Sequence, residues 1–243
     1  GTEGMREMME SFILPDLVRR SGETAVIRSR TLRTWGDSES GLAEKLGDRI
    51  DHLDGIGNPT LAFLASGIEG IKVRITAKSA TEEAASEILA AEEQFLRNLL
   101  GDIVFGIDEE TMETVVLERM RRQGMTLAVA ETLTGGVMAS RLSDIDRQLE
   151  VFRGATITAG HDQGTGPERA IAAARKAQAD YSTDVGIAVV EAIASDGQRR
   201  GTVYLGIVMG NTEFTELVAL PGDRARLRNY AVIGLMNYLR KEI

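Results

Sequence analysis

Ala128-Val129-Ala130-Glu131-Thr132-Leu133-Thr134-Gly135-Gly136 sets the architecture of this chain. An apolar run stops at an acidic residue, and two threonines and a glycine pair lead into a helical pattern. A buried strand that delivers the chain through a tight turn onto a helix is the repeating step of α/β folds. Such a turn presents free N–H groups and the positive end of the helix dipole, which suit a phosphate or carboxylate. It also reads as a plain strand-to-helix connection that binds nothing, because the full Gly-rich phosphate fingerprint is absent. Thr132, Thr134, Gly135 and Gly136 are the candidate residues under the first of these readings.

The flanking segments extend the same alternation. Met112, Val115, Val116 and Met120 mark a helix before the strand, and 136–142 a helix after it. A strand follows over 155–158, and then a helix from Pro167, which the first helical position tolerates. The unbroken apolar run Val185-Gly186-Ile187-Ala188-Val189-Val190 reads as a fully buried strand. Residues 201–208 and 213–220 alternate as an antiparallel pair around Gly210-Asn211. A last helix starts at Asp223, carries the stripe Leu227, Tyr230, Ala231, Leu235, Tyr238 and Leu239, and ends on Arg240-Lys241.

The first half differs. Residues 5–20 read as an amphipathic helix broken near Leu14-Pro15. A β-like run over 24–28, a turn at Gly36 and a helix with Leu42, Leu46 and Ile50 follow. After Asn58-Pro59, strands over 60–64 and 71–76 flank Gly67-Ile68-Glu69-Gly70 as a hairpin. Ala85, Ile88, Leu89, Phe95, Leu96 and Leu99 hold one face of a long helix interrupted by Glu92. This predicts a linker over 1–20, a small α+β domain over 21–106 and an α/β domain over 107–243.

Composition narrows the chemistry. The 243 residues are 43% hydrophobic and 27% charged, as in ordinary folded proteins. With no cysteine there is no disulfide, thiolate metal site or cysteine nucleophile, and His52 and His161 stand alone, so no metal and no cofactor is expected. A formal charge of −9 argues against nucleic acid and against anionic membranes as partners. No apolar stretch approaches the roughly 20 residues that span a bilayer, and no basic-then-apolar leader pattern is present, so the cytoplasm is the expected location.

The quoted segment resembles the E-S-x-T-G-G signature of the CinA (competence/damage-inducible) C-terminal domain, a family of nicotinamide mononucleotide amidohydrolases. Val151-Phe152-Arg153-Gly154 resembles its F-R-G step, and Gly201-Thr202-Val203-Tyr204 its G-T-V-Y strand. Leu220-Pro221-Gly222-Asp223-Arg224 with Arg228 resembles its P-G-D-R-x-x-x-R helix start. Upstream, Gly36-Asp37-Ser38-Glu39-Ser40, Asn58-Pro59-Thr60 and Arg74-Ile75-Thr76-Ala77 are similar to landmarks of the KH-type linker domain of the same proteins. The resemblance implies a small KH-type α+β domain followed by a three-layer α/β domain. It also implies a further upstream domain, resembling molybdopterin-binding proteins, whose exit helix Met5-Arg6-Glu7-Met8 looks like. Gly67-x-x-Gly70 imitates the nucleic-acid clamp of KH domains but sits between strands, where that clamp joins helices.

The resemblance implies serines in and after the turn, then a Tyr and a Lys. Thr132 stands at the first serine, keeping a hydroxyl but adding a methyl that restricts χ1. Arg147-Gln148-Leu149-Glu150 supplies no second hydroxyl, Ala159 stands at the tyrosine and Gly164 at the lysine. The chain then reaches Pro167 about twenty residues early. Glu191 and Ala192 replace an expected threonine and glycine, and a carboxylate there repels phosphate. Arg153 and Arg224 are candidates to clamp an anion, or are solvated or paired surface charges. His161-Asp162 is a conceivable replacement base, and Ser195-Asp196 is ordinary turn chemistry.

Three functions follow as expectations. The first is a degenerate amidase-like domain, catalytically impaired, with a structural, oligomerising or nucleotide-sensing role. The second is a divergent amidase using Thr132. The third is a nucleotide-binding module supporting a pyrophosphatase domain. The implied partners are a nicotinamide or ADP-ribose-type nucleotide and a second copy in a homodimer.

Overall fold

Alternation of apolar and polar residues along Ile71-Lys72-Val73-Arg74-Ile75 builds the sheet of the first compact unit, residues Thr2–Met112, in a computed structural model that describes residues 16–20, 23–65, 67–159, 163–220 and 223–243. Its strands are β1 (Asp16–Arg20), β2 (Glu23–Thr34), β3 (Thr60–Ala65), β4 (Ile71–Ser79) and β5 (Val104–Ile107). The order is β1-β2-β4-β3, all antiparallel, and β5 pairs with the far end of the twelve-residue β2. Two helices, α1 (Glu39–Ile56) and α2 (Glu82–Leu100), supply Leu42, Leu46, Leu89 and Leu96 to a core with Val73 and Ile75. Ser38 caps α1 by accepting from the Gly41 N–H, Thr81 caps α2 through Ala84, and Gly57 ends α1 in the left-handed region.

Three sequence readings change here. Residues 16–20, read as the end of a linker helix, are a strand in register with 23–27, where their backbone groups pair along the edge of β2. The rest of that helix, including Met5–Met8, lies outside the described residues. Glu92 does not interrupt the buried face of α2 but belongs to it: only 3% exposed, it receives both the Nε and an Nη of Arg49, at 2.9 and 2.5 Å. Phe95 and Leu99 instead lie more than two-fifths exposed, and the Arg49 guanidinium stacks 3.9 Å from the Phe95 ring centre.

The second unit, residues 113–243, is a mixed five-stranded sheet. Its strands β6 (Leu127–Glu131), β7 (Phe152–Ile157), β8 (Val185–Glu191), β9 (Thr202–Met209) and β10 (Thr212–Ala219) lie in the order β10-β9-β8-β6-β7. The central β6 runs parallel to β7 and β8, and β9 and β10 continue antiparallel. Side chains alternate across the sheet. Ala128, Ala130, Ala188 and Val208 face Ala174 and Ala177 of the helix α5 (Gly166–Tyr181). Leu127, Val129, Ile187 and Val189 are equally buried on the other side, where α4 (Val137–Ile145) and α6 (Arg224–Glu242) touch each other and pack on the strands. The helix α3 (Met112–Arg122) joins that layer through Glu113 to Arg141 and through Arg119 donating to the Arg240 carbonyl. Helices on both faces make this a three-layer α/β fold. No helix among the described residues is long and apolar enough to cross a membrane.

Candidate functional site

At the end of β6 the alternation of the strand sends two polar side chains to different sides. Glu131, fully buried, turns toward α4 and accepts from the N–H groups of Met138 (2.9 Å) and Ala139 (3.2 Å). The Val137 N–H donates to the Thr134 carbonyl, and the Ser140 N–H to that of Gly136. The first turn of α4 is thus closed by the chain's own carboxylate, which satisfies both orphan donors and the helix dipole. The Met138 and Ala139 N–H groups that follow Thr134-Gly135-Gly136 therefore face Glu131. The glycine pair serves the backbone instead, with φ of 55° and 100°, a region costly for other residues. Thr134 is wholly buried beneath the turn.

Thr132 takes the opposite side and lines a cleft of about 400 Å³. The floor of the cleft is the carboxyl end of the three parallel strands, with Ala130, Thr132, Thr156, Thr158, Val190 and Glu191 on or just after β6, β7 and β8. The wall is one face of α5, with Arg169, Ala173, Lys176, Ala177 and Asp180 at helical spacing. Because β7 and β8 flank β6 on opposite sides, the chain direction around the sheet reverses here, which is where ligands enter open α/β sheets. The Thr132 hydroxyl donates to the Val189 carbonyl at 2.8 Å. Its proton is therefore held by a group with no capacity to remove it, and the oxygen keeps only acceptor character toward the cleft.

Charge in the cleft is arranged in pairs. Arg169, 4% exposed, donates to both carboxylate oxygens of Asp196 at 3.0 and 2.7 Å, to the Gly164 carbonyl, and across to the Glu191 carbonyl. That fork ties the loop before α5 to the loop after β8. The Arg169 guanidinium, with help from the Ile193 N–H, holds the Asp196 carboxyl below the usual carboxylate range. Lys176 and Asp180 pair at 2.8 Å on the exposed rim. Glu191 is exposed at the end of β8.

The expected site residues are not brought together. Arg153 sits exposed at the start of β7, at the opposite end of that strand from Thr156 and Thr158, and does not line the cleft. Arg224 is the first residue of α6, its side chain outside the described set, as are His161 and Asp162. Arg228, one turn along α6, is the arginine that reaches the turn: its Nε donates to the Leu133 carbonyl at 3.0 Å, and its Nη atoms lie beside Gly135. Its signal was present in the P-G-D-R-x-x-x-R pattern. Arg169 and Asp196 escape sequence reading because one lies in an alanine-rich helix and the other in an ordinary turn.

The chain matches the damage-inducible protein CinA KH domain over residues 29–106 and the CinA C-terminal domain over 109–163. A CinA-like protein of Frankia casuarinae is 36% identical over 98% of this chain and 59% of its own length. One from Dictyoglomus turgidum is 31% identical over 98% and 61%. The chain thus spans about three-fifths of these curated relatives. The crystal structure of a competence-damaged protein (CinA) superfamily protein from Klebsiella pneumoniae superposes with a TM-score of 0.50 at 18% identity, covering 54% of this chain and 94% of that one, a likeness of fold. By its two domain matches and by the relatives that align along nearly its whole length, the chain belongs to the CinA family.

Proposed function

We propose that the 113–243 unit is a ligand-binding CinA domain that no longer performs amide hydrolysis, and that its ligand is of the nicotinamide or ADP-ribose type. The observation that carries this reading is the Thr132 hydroxyl, committed as a donor to the Val189 carbonyl. A serine- or threonine-type amidase needs a base to take that proton and donors for the oxyanion. The N–H groups at the start of α4 face Glu131 instead. The cleft at the strand ends remains, which supports binding without turnover.

Purified protein incubated with nicotinamide mononucleotide is expected to release no ammonia above background. Release at an ordinary enzymatic rate, about 1 per second or faster, overturns the proposal. The position of Thr132 on the cleft favours a second reading, a divergent amidase with this hydroxyl as nucleophile. Under it, Thr132→Ala abolishes whatever turnover is found, and a Thr132→Ala protein that keeps full turnover removes it.

A further inference from the structure

We infer that the cleft reads a zwitterionic mononucleotide, a cationic ring joined through a sugar to a phosphate, with Lys176 taking the phosphate and Glu191 the ring; this rests on the binding reading above. Four ionised side chains line the cleft, Arg169, Lys176, Asp180 and Glu191, and their charges cancel. They differ in how firmly they are held. Arg169, buried, is committed to the fork with Asp196 and to the carbonyls of Gly164 and Glu191. Lys176 meets Asp180 one turn along the helix, in a pair whose side chains are 65% and 44% exposed. Such a pair contributes little, because water and salt screen it and two flexible side chains must be held in place. A phosphate offers the lysine up to two negative charges and several strong acceptors, so it displaces the carboxylate. Glu191 is exposed at the end of β8, with no side-chain partner among the described residues.

The two available charges stand apart along α5. Arg169 reaches the Glu191 carbonyl at 3.4 Å, so Glu191 lies beside the first turns of the helix. Lys176 follows two turns later, about 10 Å along the axis, which leaves room for a sugar between ring and phosphate. Ala173 lies between them on the helix, and with Ala130 and Val190 on the strands it gives a small apolar surface against which a flat ring displaces water. The Thr132 oxygen, its own proton directed to the Val189 carbonyl, accepts from a sugar hydroxyl. Coulomb interactions fix the orientation: a phosphate is drawn to Lys176 and repelled by Glu191, and a cationic ring the reverse.

Calorimetric titration of the whole chain tests both ends with three ligands: nicotinamide mononucleotide, its reduced form, whose ring carries no charge, and nicotinamide riboside, which lacks the phosphate. The oxidised mononucleotide is expected to bind at least about tenfold more tightly than either of the others. Lys176→Met should close the gap to the riboside alone, and Glu191→Gln the gap to the reduced form alone. Asp180→Asn, which frees Lys176, should widen the gap to the riboside. All three positions are exposed, and circular dichroism checks that each variant folds. A riboside or reduced mononucleotide that binds as tightly as the oxidised one overturns the inference and leaves the binding reading standing. So do gaps that the variants leave unchanged, or a variant that weakens all three ligands alike. Absence of both heat and thermal shift with every ligand removes the inference and the binding reading together.

Discussion

The two sheets of this molecule handle polar residues in opposite ways. Along β4 buried and exposed positions alternate, with Ile71, Val73, Ile75 and Ala77 inward and Arg74 and Lys78 outward, so one face of the small unit's sheet is open. Along β6 every residue is buried, and along β8 six of seven, because helices cover both faces. A strand with no open face can expose a functional group only where it leaves the layer. In the second unit that place is the carboxyl end, where Thr132 and Glu191 appear, and the difference teaches why the cleft is there and not on the small unit's broader polar face.

The sharpest way to break this comparison is to add one carbon between the layers. An ideal Cβ at Gly186 of β8 would lie 2.0 Å from the Ala174 carbonyl oxygen of α5, and backbone does not yield as a side-chain tip does. Gly186→Ala is expected to cost about 3 kcal/mol by overpacking. Urea unfolding followed by far-ultraviolet circular dichroism should show an early transition. Trp35, the chain's only tryptophan, reports on the small unit, and its fluorescence midpoint should hold. A neutral Gly186→Ala means that α5 does not press on the sheet as described.

The same contrast explains what sequence could and could not reveal. The central strands β4, β6 and β8 were legible because β4 alternates and β6 and β8 run continuously apolar, two patterns that burial on one face or two imposes directly, whereas β1, read as helix, and the short β5 were not. Helix starts were legible at Asp223 and near Pro167, where cap chemistry is local; Asp223 accepts from the Arg226 N–H, and Thr165 from Glu168. The faces of α2 were less so. Glu92 is buried because Arg49, 43 residues earlier, receives its charge, and Phe95 is tolerated near solvent because the same arginine covers it. The site was less legible for a similar reason. Glu131 and Thr132 are neighbours in sequence, but strand alternation parts them, and the fork from Arg169 to Asp196 spans 27 residues that no local pattern connects.

A smaller effect of opposite sign is expected where packing is open. Gly47 lies inside α1 with no atom within 4 Å of the place a Cβ would occupy. Glycine loses more backbone freedom on folding than alanine, so Gly47→Ala should stabilise the small unit by about 0.5–1 kcal/mol. The Trp35 midpoint in urea should rise. Were it to fall, α1 would have to be covered by something at Gly47, and the open-faced picture of this unit would need revision.

The smallest expected effect is a difference in pH response between the units. In the small unit, burial raises the carboxyl of Asp108 above its ordinary 3.8 and that of Glu110 above 4.5. A raised folded pKa favours the fold while the group is protonated, and that contribution is lost as pH rises through the folded value. In the second unit the Arg121 guanidinium lowers Glu118 and Arg169 lowers Asp196, so their contribution is present at neutral pH and lost only as pH falls through the lowered values. Raising pH from about 4 to 7 should therefore weaken the small unit through these two buried carboxyls, against an opposite contribution from Asp37, which Lys45 holds below its ordinary value. Asp108→Asn tests the sign. The amide oxygen can still accept from the Thr31 N–H, as Asp108 does at 3.0 Å, and asparagine tolerates the φ of 53° found here. Urea midpoints read from Trp35 should fall less steeply between pH 4 and 7 in the variant than in the parent. Parallel slopes would show that the buried carboxyl is compensated when charged, its nearest cation being Arg30, whose Nε lies 3.4 Å from it.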